Sequence, residues 1–289
     1  MLCFPNLPRV LANGKVLWEG QSRAVIQLEG EVVVKIGHDL DHGEDALLSF
    51  IAQEAPDVPI PKSLGTIVTQ DMTYQFMTII PGVTLDECWP RLSMDQKASI
   101  CFQLNHMMSA LRRVPYVPSH PLGSISTPHL CADNRMRKRQ CPHPLFTESE
   151  FNDFLVSRPF RRVSPGYARW IRSLLRNDHR IVLTHGDFHP RNIMVVENED
   201  HGVIVSGIID WEMGGWYPEH WELVKAQNTR GRDDDSDWWE SLPESISGYD
   251  TEVVAGHLFG KLHECILTTE PRVSRGPTSR LTRYADCAS

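Results

Sequence analysis

The residues best suited to chemistry are two aspartates and an asparagine in the second half of the chain. Asp187 and Asn192 lie in the sequence HGDFHPRN, and Asp210 lies in IIDWE. All three are flanked by apolar, β-branched runs, so each is expected at the end of a strand. Phosphoryl transfer requires a carboxylate that orients the attacking hydroxyl and accepts its proton, together with ligands for a Mg²⁺ ion that bridges the phosphates. Asp187 fits the first role, and Asn192 and Asp210 offer the hard oxygen atoms that Mg²⁺ prefers.

A simpler interpretation is that Asp187 and Asn192 are turn residues, because Asp and Asn are common in turns. Four fixed positions match by chance in roughly 0.2% of such chains if all residue types are equally frequent, and the strand-like flanks lower that frequency. The pattern therefore favours a phosphate-transferring site over two ordinary turns.

These residues need a scaffold, and the first part of the chain predicts a small sheet. Apolar, β-branched runs broken by glycines and prolines predict strands at residues 16–20, 24–30, 31–37, 65–68 and 73–80. The first three are separated by tight turns, so they are expected to pair antiparallel. Residues 43–54 carry apolar side chains at helical spacing and acids in the first turn, which predicts a helix packed on the sheet. Residues 1–82 are thus expected to form a β-rich lobe.

From Thr84 onward the apolar spacing becomes helical. Helices separated by irregular segments are predicted at residues 95–113, 148–155 and 166–176. A strand is expected to enter the HGD sequence, followed by a hairpin with its turn at residues 199–202. The basic, turn-rich tail from Pro271 is expected to be loosely ordered. Residues 83–289 would form a larger helical lobe, which makes the fold class α+β.

Composition and charge exclude several classes of protein. Lys plus Arg number 29 and Asp plus Glu 37, so the net charge is −8, and an acidic chain repels nucleic acid and anionic lipid. No apolar run approaches the roughly 20 residues that span a bilayer, and the N-terminus lacks the pattern of a signal peptide. The seven cysteines are odd in number and include no CxxC pair, which favours reduced thiols and a cytoplasmic location.

Taken together, the HGD…N and IDWE motifs resemble those of the aminoglycoside phosphotransferase and choline kinase-like family, in particular its fungal phosphotransferase branch. The similarity extends in linear order over roughly residues 14–225. It includes the segments EGEVVVKIG, GEDALLSFIAQEAPDVPIPKSLG, YQFMTIIPGVTLDECWPRLS, PLFTESEFNDFL and GGWYPEHWELVKA. The resemblance implies a bilobal protein-kinase-like fold, with a small β-rich N-lobe, a larger helical C-lobe and ATP bound between them.

The resemblance also implies roles for residues of the N-lobe. Lys35, near the end of an apolar strand, resembles the lysine that holds the α- and β-phosphates of ATP, and Glu44 resembles the helix glutamate that pairs with it. Simpler interpretations compete with both. Lys35 could be an ordinary edge-strand lysine, and either Glu44 or its neighbour Asp45 could only complement the helix N-terminus.

Met77, Ile79 and Ile80 lie where the resemblance implies a hinge, whose backbone N–H and C=O groups would bind adenine. Ser22 ends the segment GQS, where the resemblance implies a loop that covers the phosphates. That segment has one glycine and not three. Its grip on the nucleotide would therefore be weak, or would use Ser22 and backbone N–H groups.

Other His, Cys and basic residues could also carry chemistry. His185 is expected to be a scaffold residue that hydrogen-bonds nearby backbone, whereas His189 could face either the transferred phosphate or solvent. The basic run at residues 135–139 could bind an anion or act as a localisation signal, although such runs are usually only solvated. A third group contains residue types that Zn²⁺ accepts: His129, Cys131, Cys141 and His143. Their spacing is unlike that of the usual zinc fingers, so an irregular loop whose thiols are incidental is expected.

The sequence therefore predicts an ATP- and Mg²⁺-dependent O-phosphotransferase that acts on a small hydroxylated metabolite. A protein kinase is disfavoured, because only seven residues separate Asp210 from Pro218, too few for a platform that binds an extended peptide. Trp216, Tyr217 and Trp221 are candidates to line an acceptor pocket, although core packing explains them equally well. A non-catalytic nucleotide- or metabolite-binding module is the alternative, favoured by the glycine-poor loop.

Overall fold

The computed structural model describes residues 7–38, 40, 43–135, 139–157, 163–199, 202–231 and 233–263. Arg137 and Lys138 of the basic run lie outside the described residues, and so does the tail from Pro271. The hairpin turn predicted at residues 199–202 is described only at its two ends.

The first part of the chain forms an antiparallel sheet of five strands with two helices. Its elements are α1 (Leu7–Ala12), β1 (Lys15–Glu19), β2 (Arg23–Gln27), β3 (Val32–Gly37), α2 (Gly43–Glu54), β4 (Ser63–Val68) and β5 (Thr73–Thr78). The strand order across the sheet is β1-β2-β3-β5-β4, so β3 lies in the centre. The predicted strands and helix are confirmed. The last strand, however, ends at Thr78, opposite the start of its partner at Val32, and not at residue 80.

The second part of the chain is mainly helical. Its elements are β6 (Val83–Thr84), α3 (Leu85–Cys88), α4 (Met94–Arg113), β7 (Ala132–Asp133), β8 (Arg139–Gln140), α5 (Glu148–Val156), α6 (Pro165–Leu174), β9 (Ile181–Thr184), β10 (Ile193–Glu197), β11 (Val203–Ile208), β12 (Gly215–Pro218), α7 (Trp221–Asn228) and α8 (Asp250–His263). The predicted long helix is α4, which begins after a capping box made by Ser93 and Gln96. Among the described residues, none of the helices combines the length and the apolar character that crossing a membrane requires.

Small antiparallel strand pairs hold the motif residues of the second part. β10 pairs with β11, and β9 pairs with β12 along its whole length. β9 ends directly before the HGD sequence, β10 begins directly after Asn192, and β11 ends two residues before Asp210. The motif residues therefore lie at strand ends, as predicted. The sequence pattern did not predict β12. Its residues GWYP contain a glycine and a proline and are all buried, so they lack the alternation that marks a half-exposed strand.

Helix α2 packs toward the second part of the chain as well as on the sheet. It contacts β4. Its buried residues Leu47, Leu48 and Ile51, however, belong to the same apolar cluster as Phe188 and Trp211 of the second part. The prediction of packing on the sheet is therefore incomplete. Because the helix lies between the two parts, a side chain in its first turn can contact residues of both.

Candidate active site

Lys35 lies in the central strand β3, and a carboxylate of α2 holds its ammonium group. The Nζ atom is 3.1 Å from Oε2 of Glu44. The other oxygen of Glu44 accepts the backbone N–H of Trp211 at 2.9 Å. Glu44 is 2% exposed, so both contacts are shielded from water and strengthened by the low local dielectric. One buried carboxylate thus connects the sheet to the segment that follows β11.

Asp45, the acid beside Glu44, faces β4 instead. Its carboxylate accepts hydrogen bonds from the hydroxyl of Ser63, at 3.0 Å, and from that of Thr66. The two acids of the first turn of α2 therefore have different partners: Glu44 contacts Lys35, and Asp45 attaches the helix to an edge strand of the sheet.

The ammonium group of Lys35 also contacts two carboxylates that follow β11. Its Nζ atom lies 2.6 Å from Oδ1 of Asp210 and 3.3 Å from Oε2 of Glu212. Asp210 has a backbone φ of 65°, a left-handed conformation that is strained for a residue other than glycine. Burial would lower the pKa of Lys35, but the charges of Glu44, Asp210 and Glu212 outweigh it and raise that pKa. Lys35 is therefore held as an ammonium ion.

Glu212 also binds Arg23, the first residue of β2. Arg23 Nη1 lies 2.8 and 2.7 Å from the two carboxylate oxygens. Arg23 directly follows Ser22, which is exposed in the turn between β1 and β2, and the N–H of Gly20 closes that turn on the carbonyl of Arg23 at 2.9 Å. The glycine-poor turn is thus fastened to the second part of the chain. Neither member of this ion pair could be found from local sequence patterns, because 189 positions separate them.

The HGD loop, residues 185–192, brings the remaining motif residues together. The side-chain nitrogen of Asn192 donates to the backbone oxygen of Asp187 at 2.9 Å and to its Oδ2 at 2.8 Å. The backbone oxygen of Asn192 accepts the N–H of Ile209 at 2.9 Å. Asn192 therefore contacts Asp187 directly and lies next to the residue that precedes Asp210.

Two oxygen atoms of this group suit a divalent cation. The amide nitrogen of Asn192 is used by Asp187, so its side-chain oxygen is the atom left for a ligand. Asp210 directs one carboxylate oxygen to Lys35, and its side chain is 37% exposed, which leaves the second oxygen accessible. Carboxylate and amide oxygens are ligands that Mg²⁺ accepts. The residues present therefore fit a Mg²⁺ ion.

Arg191 binds the carboxylate of Asp187 within the same loop. Its Nη2 atom lies 3.1 and 3.0 Å from the two carboxylate oxygens. Burial would raise the pKa of Asp187, but the charges of Arg191 and His185 and the hydrogen bond from Asn192 together lower it. Asp187 is therefore ionised at neutral pH.

The start of the HGD loop is held by a carboxylate that sequence analysis missed. The N–H groups of His185 and Gly186 donate to Glu222 of α7 at 2.6 and 2.9 Å, and Glu222 is completely buried. Gly186 has a φ of 78°, and a Cβ there would overlap the backbone oxygen of Met213, so glycine is required. The available signal was an acid within the otherwise apolar run WELV, since a buried acid normally has a partner.

The two histidines of the loop have different environments. His185 is fully buried, and its Nε2 atom is 2.9 Å from the backbone oxygen of Ile209. The Nδ1 atom of His189 accepts the N–H of Arg191 at 3.2 Å, and its ring packs edge-on against Trp239 with centroids 5.6 Å apart. Burial, and then the charge of Arg191, lowers the pKa of His189 to about 4. His189 is thus an uncharged, half-buried ring.

The predicted adenine-binding segment lies at the end of β5. Met77 is buried and paired within the sheet. The N–H of Ile79 donates to the backbone oxygen of Glu31 at 2.8 Å, so only the carbonyl of Ile79 is left for a ligand. Ile80 lies against Gly207 of β11: a Cβ atom added to Gly207 would come within 2.9 Å of the Cγ2 atom of Ile80.

Two other groups singled out from the sequence are explained by packing. Trp216, Tyr217 and Trp221 are at most 4% exposed and belong to apolar clusters of the second part. Cys131 and Cys141 are buried in the second of these clusters. Within the part of the chain that the structure describes, no group of three possible metal ligands forms among His129, Cys131, Cys141 and His143.

The architecture and the motif geometry together define the class of protein. A small antiparallel sheet carries a lysine paired with a helix glutamate, and a larger helical part presents the HGD loop and Asp210 to it; this is the bilobal α+β arrangement of the protein-kinase-like fold. The chain belongs to the phosphotransferase enzyme family, whose model matches residues 13–256.

Solved structures with a similar fold include aminoglycoside phosphotransferases. One is APH(4)-Ia, which is 15% identical, with 87% of this chain and 84% of that chain covered and a TM-score of 0.55. A thermostable variant of it, bound to AMP-PNP and hygromycin B, is 14% identical, with 89% of each chain covered and a TM-score of 0.54. The gentamicin complex of APH(2'')-IIa is 13% identical, with 88% and 82% covered and a TM-score of 0.54. None of the curated proteins compared with the chain matches it.

Proposed function

We propose that this protein transfers the γ-phosphate of ATP to a hydroxyl group of a small metabolite. The observation that carries the proposal is the 2.6 Å contact of Lys35 Nζ with Oδ1 of Asp210, which joins the sheet to the segment after β11. Ile209 of that segment is hydrogen-bonded to Asn192 of the HGD loop. A lysine, two carboxylates and an amide are the groups that phosphoryl transfer requires. The AMP-PNP bound to the similar APH(4)-Ia variant supports ATP as the donor.

In this proposal each motif residue has one task. Asp187 orients the acceptor hydroxyl and takes its proton, and Lys35 holds the α- and β-phosphates in a position that Glu44 stabilises. Asn192 and Asp210 hold Mg²⁺, which when bound neutralises charge that develops on the phosphates.

The surrounding residues bind the nucleotide and support the loop. Adenine lies along the backbone at residues 77–80, with Ser22 near the phosphates. His185 supports the HGD loop from beneath through its contact with Ile209.

The segment after Asp210 supports a small acceptor over a protein. Residues 215–218 form β12, which pairs with β9 and is buried along its length. This segment therefore offers no exposed platform for an extended peptide. Hygromycin B and gentamicin, the compounds bound in two of the similar structures, are small hydroxylated molecules. Because one fold supports many acceptors, the proposal goes no further than that class.

A cytoplasmic location is also part of the proposal. The cysteines within the described ranges are free thiols, at positions 88, 101, 131 and 141. Free thiols are maintained in reducing compartments, where ATP is also available.

A second candidate function is a nucleotide- or metabolite-binding module without turnover. Two observations favour it: the glycine-poor turn that contains Ser22, and the ion pair in which Arg191 Nη2 lies 3.0 Å from Oδ2 of Asp187. A carboxylate already bound by a guanidinium is less free to receive a proton. The ATP site would be the same in both functions, so only product formation separates them.

The test is a metabolite screen by mass spectrometry. The purified chain is incubated with Mg·ATP and a metabolite extract, and each compound is examined for the mass gain of one phosphate group. We expect at least one phosphorylated product that is absent when Mg²⁺ is chelated and when Asp187→Ala replaces the wild-type chain. ATP binding without any product would favour the binding module. Transfer to added protein alone would instead identify a protein kinase.

The paired acids of α2 provide a matched test of the Lys35 site. Glu44→Gln is expected to lower kcat/KM for ATP roughly 10- to 100-fold, because it replaces a charge-assisted hydrogen bond of about 1.5–3 kcal/mol. Asp45→Asn changes an acid one residue away that contacts Ser63 and Thr66, and it should leave kcat/KM for ATP within about twofold of wild type. Steady-state kinetics on both variants measures the difference, and equal losses would show that the pair with Lys35 has no special role.

A further inference from the structure

A buried cluster of histidines and carboxylates lies in the second part of the chain, away from the HGD loop. Glu148 opens α5, His179 lies two residues before β9, and His220 directly precedes α7. One possible ligand atom from each of the three lies within 4.8 Å of the others. A fourth side chain, Glu252 of α8, approaches His179 with Oε1 at 3.5 Å from Nε2. Four separate segments of the fold thus contribute to one cluster.

The contacts inside the cluster are close, but they leave donor atoms unused. His179 Nδ1 is 2.7 Å from Oε1 of Glu148, and the His179 N–H donates to Oε2 at 2.9 Å. His220 Nδ1 lies 3.5 Å from the same Oε1 atom. Among the described residues, His179 Nε2 and His220 Nδ1 are buried without a hydrogen-bond partner, in side chains that are 4% and 2% exposed. Buried polar atoms are rarely left unpaired, so the Nδ1 atom of His220, beside Oε1 of Glu148, calls for a ligand.

Charge points to the same conclusion. Glu148 and Glu252 are 5% and 4% exposed, which places two carboxylates in one buried region. The nearby guanidinium of Arg112 is directed at backbone oxygens of Ser245 and, at 2.7 Å, of Glu219. Two buried carboxylates and two imidazoles are balanced by one divalent cation, because buried charges are stable only when paired or bound to a metal.

We propose that Glu148, His179 and His220 bind a Zn²⁺ ion through Oε1 and the two Nδ1 atoms. Glu252 contacts Nε2 on the other edge of the His179 ring and would fix the orientation of that ring. Imidazole nitrogen and carboxylate oxygen are established zinc ligands, and a water molecule would take the fourth position. Neither of the histidines belongs to the group with Cys131 and Cys141 that the sequence spacing suggested. This site is assembled from segments as far apart as residues 148 and 220, so spacing could not reveal it.

The location gives the metal a structural task. His179 and His220 lie at the same end of the β9–β12 strand pair, and β9 leads from there into the HGD loop. The four residues of β9, which span roughly 13 Å, lie between the cluster and the start of that loop. Glu222, two residues beyond His220, accepts the N–H groups of His185 and Gly186. The ion would therefore fix the base of the elements that position the loop, without touching the reacting groups.

The first test is metal titration of the tag-free chain after treatment with a chelator. We expect one equivalent of Zn²⁺ to bind, and Co²⁺ in its place to give the intense visible absorption of a tetrahedral site. Free Zn²⁺ at 100 times its dissociation constant should raise the melting temperature by about 5–10 °C. These measurements need no variant. Less than stoichiometric binding, or no melting shift, would overturn the proposal.

Two variants locate the ion. His220→Gln should weaken Zn²⁺ binding more than about 100-fold, since even loss of an outer partner of a metal ligand costs 10- to 100-fold. The matched control is His257→Gln, which changes an exposed histidine of α8 and should bind Zn²⁺ as the wild type does. If His220→Gln fails to fold, the Co²⁺ spectrum of the wild type decides. Equal binding by both variants would assign the zinc to another place and contradict the proposal.

Discussion

Replacing Asp187 with asparagine is expected to lower kcat about 10²- to 10⁴-fold, the usual contribution of a positioned general base. Asparagine has nearly the same shape, and its oxygen can still accept the hydrogen bonds that Arg191 and Asn192 donate to Asp187. The HGD loop should keep its conformation, and ATP should bind nearly as tightly as before. Product formation measures kcat, and calorimetric titration with ATP measures binding. Loss of both would indicate that the loop, and not only its chemistry, is damaged.

The size of the loss reports what Asp187 does. Despite the opposing effect of burial, Arg191 helps to hold the pKa of Asp187 below its ordinary value, so the carboxylate is ionised but weakly basic. When the bond between the γ-phosphate and its leaving group breaks before the bond to the acceptor forms, a weakly basic carboxylate acts mainly by orienting the acceptor hydroxyl. A loss near 10²-fold would fit orientation, and one near 10⁴-fold would fit proton transfer. Asp235→Asn, at an exposed aspartate, is the control and should leave kcat unchanged.

Glu222→Gln is expected to destabilise the protein by about 2–4 kcal/mol. The carboxylate accepts two backbone N–H groups, from His185 and Gly186, and both are buried. Glutamine keeps the volume of the side chain but has one acceptor oxygen, so its NH₂ group must face one of those N–H donors. A buried donor is then left unsatisfied, and a charge-assisted hydrogen bond is lost. Urea unfolding of the wild type and the variant measures the change in the free energy of unfolding.

The same substitution should also lower kcat, because Glu222 fixes the backbone that leads directly to Asp187. The KM for ATP should change less, since Lys35, the proposed phosphate-binding lysine, lies on a different element, β3. Glu240→Gln, at an exposed glutamate that follows Trp239, is the matched control and should match the wild type in both measurements. A Glu222→Gln variant with wild-type stability, within about 0.5 kcal/mol, would show that the loop does not depend on this carboxylate.

Much of the fold could be predicted because it follows from local patterns. The β-branched runs around Lys35 and the helical spacing of residues 43–54 correspond to β3 and α2. Motif residues at strand ends could also be placed, because the strands on either side of Asp187 and Asp210 are strongly apolar. The local pattern even indicated two acids in the first turn of α2. It could not decide between Glu44 and Asp45, since that choice depends on which way the helix faces the sheet.

The residues that sequence analysis missed act over long distances along the chain. Arg23 and Glu212 meet across 189 positions, and Glu222 supports backbone 36 and 37 positions before it. No periodicity records such pairs, because their contact exists only after the two parts of the chain have packed. The strand β12 escaped detection for a related reason: it is buried on both faces and lacks alternation. How the residues 1–82 and 83–289 divide the molecule stays a prediction.

The buried strand β12 has a consequence for control of this protein. In kinases whose corresponding segment is long and exposed, covalent modification of that segment can turn activity on or off. Here the residues that follow Asp210 form a tight turn and then the buried strand β12, so this segment has no exposed loop that could be modified. The proposed phosphotransferase activity would therefore not be controlled by covalent modification of this segment.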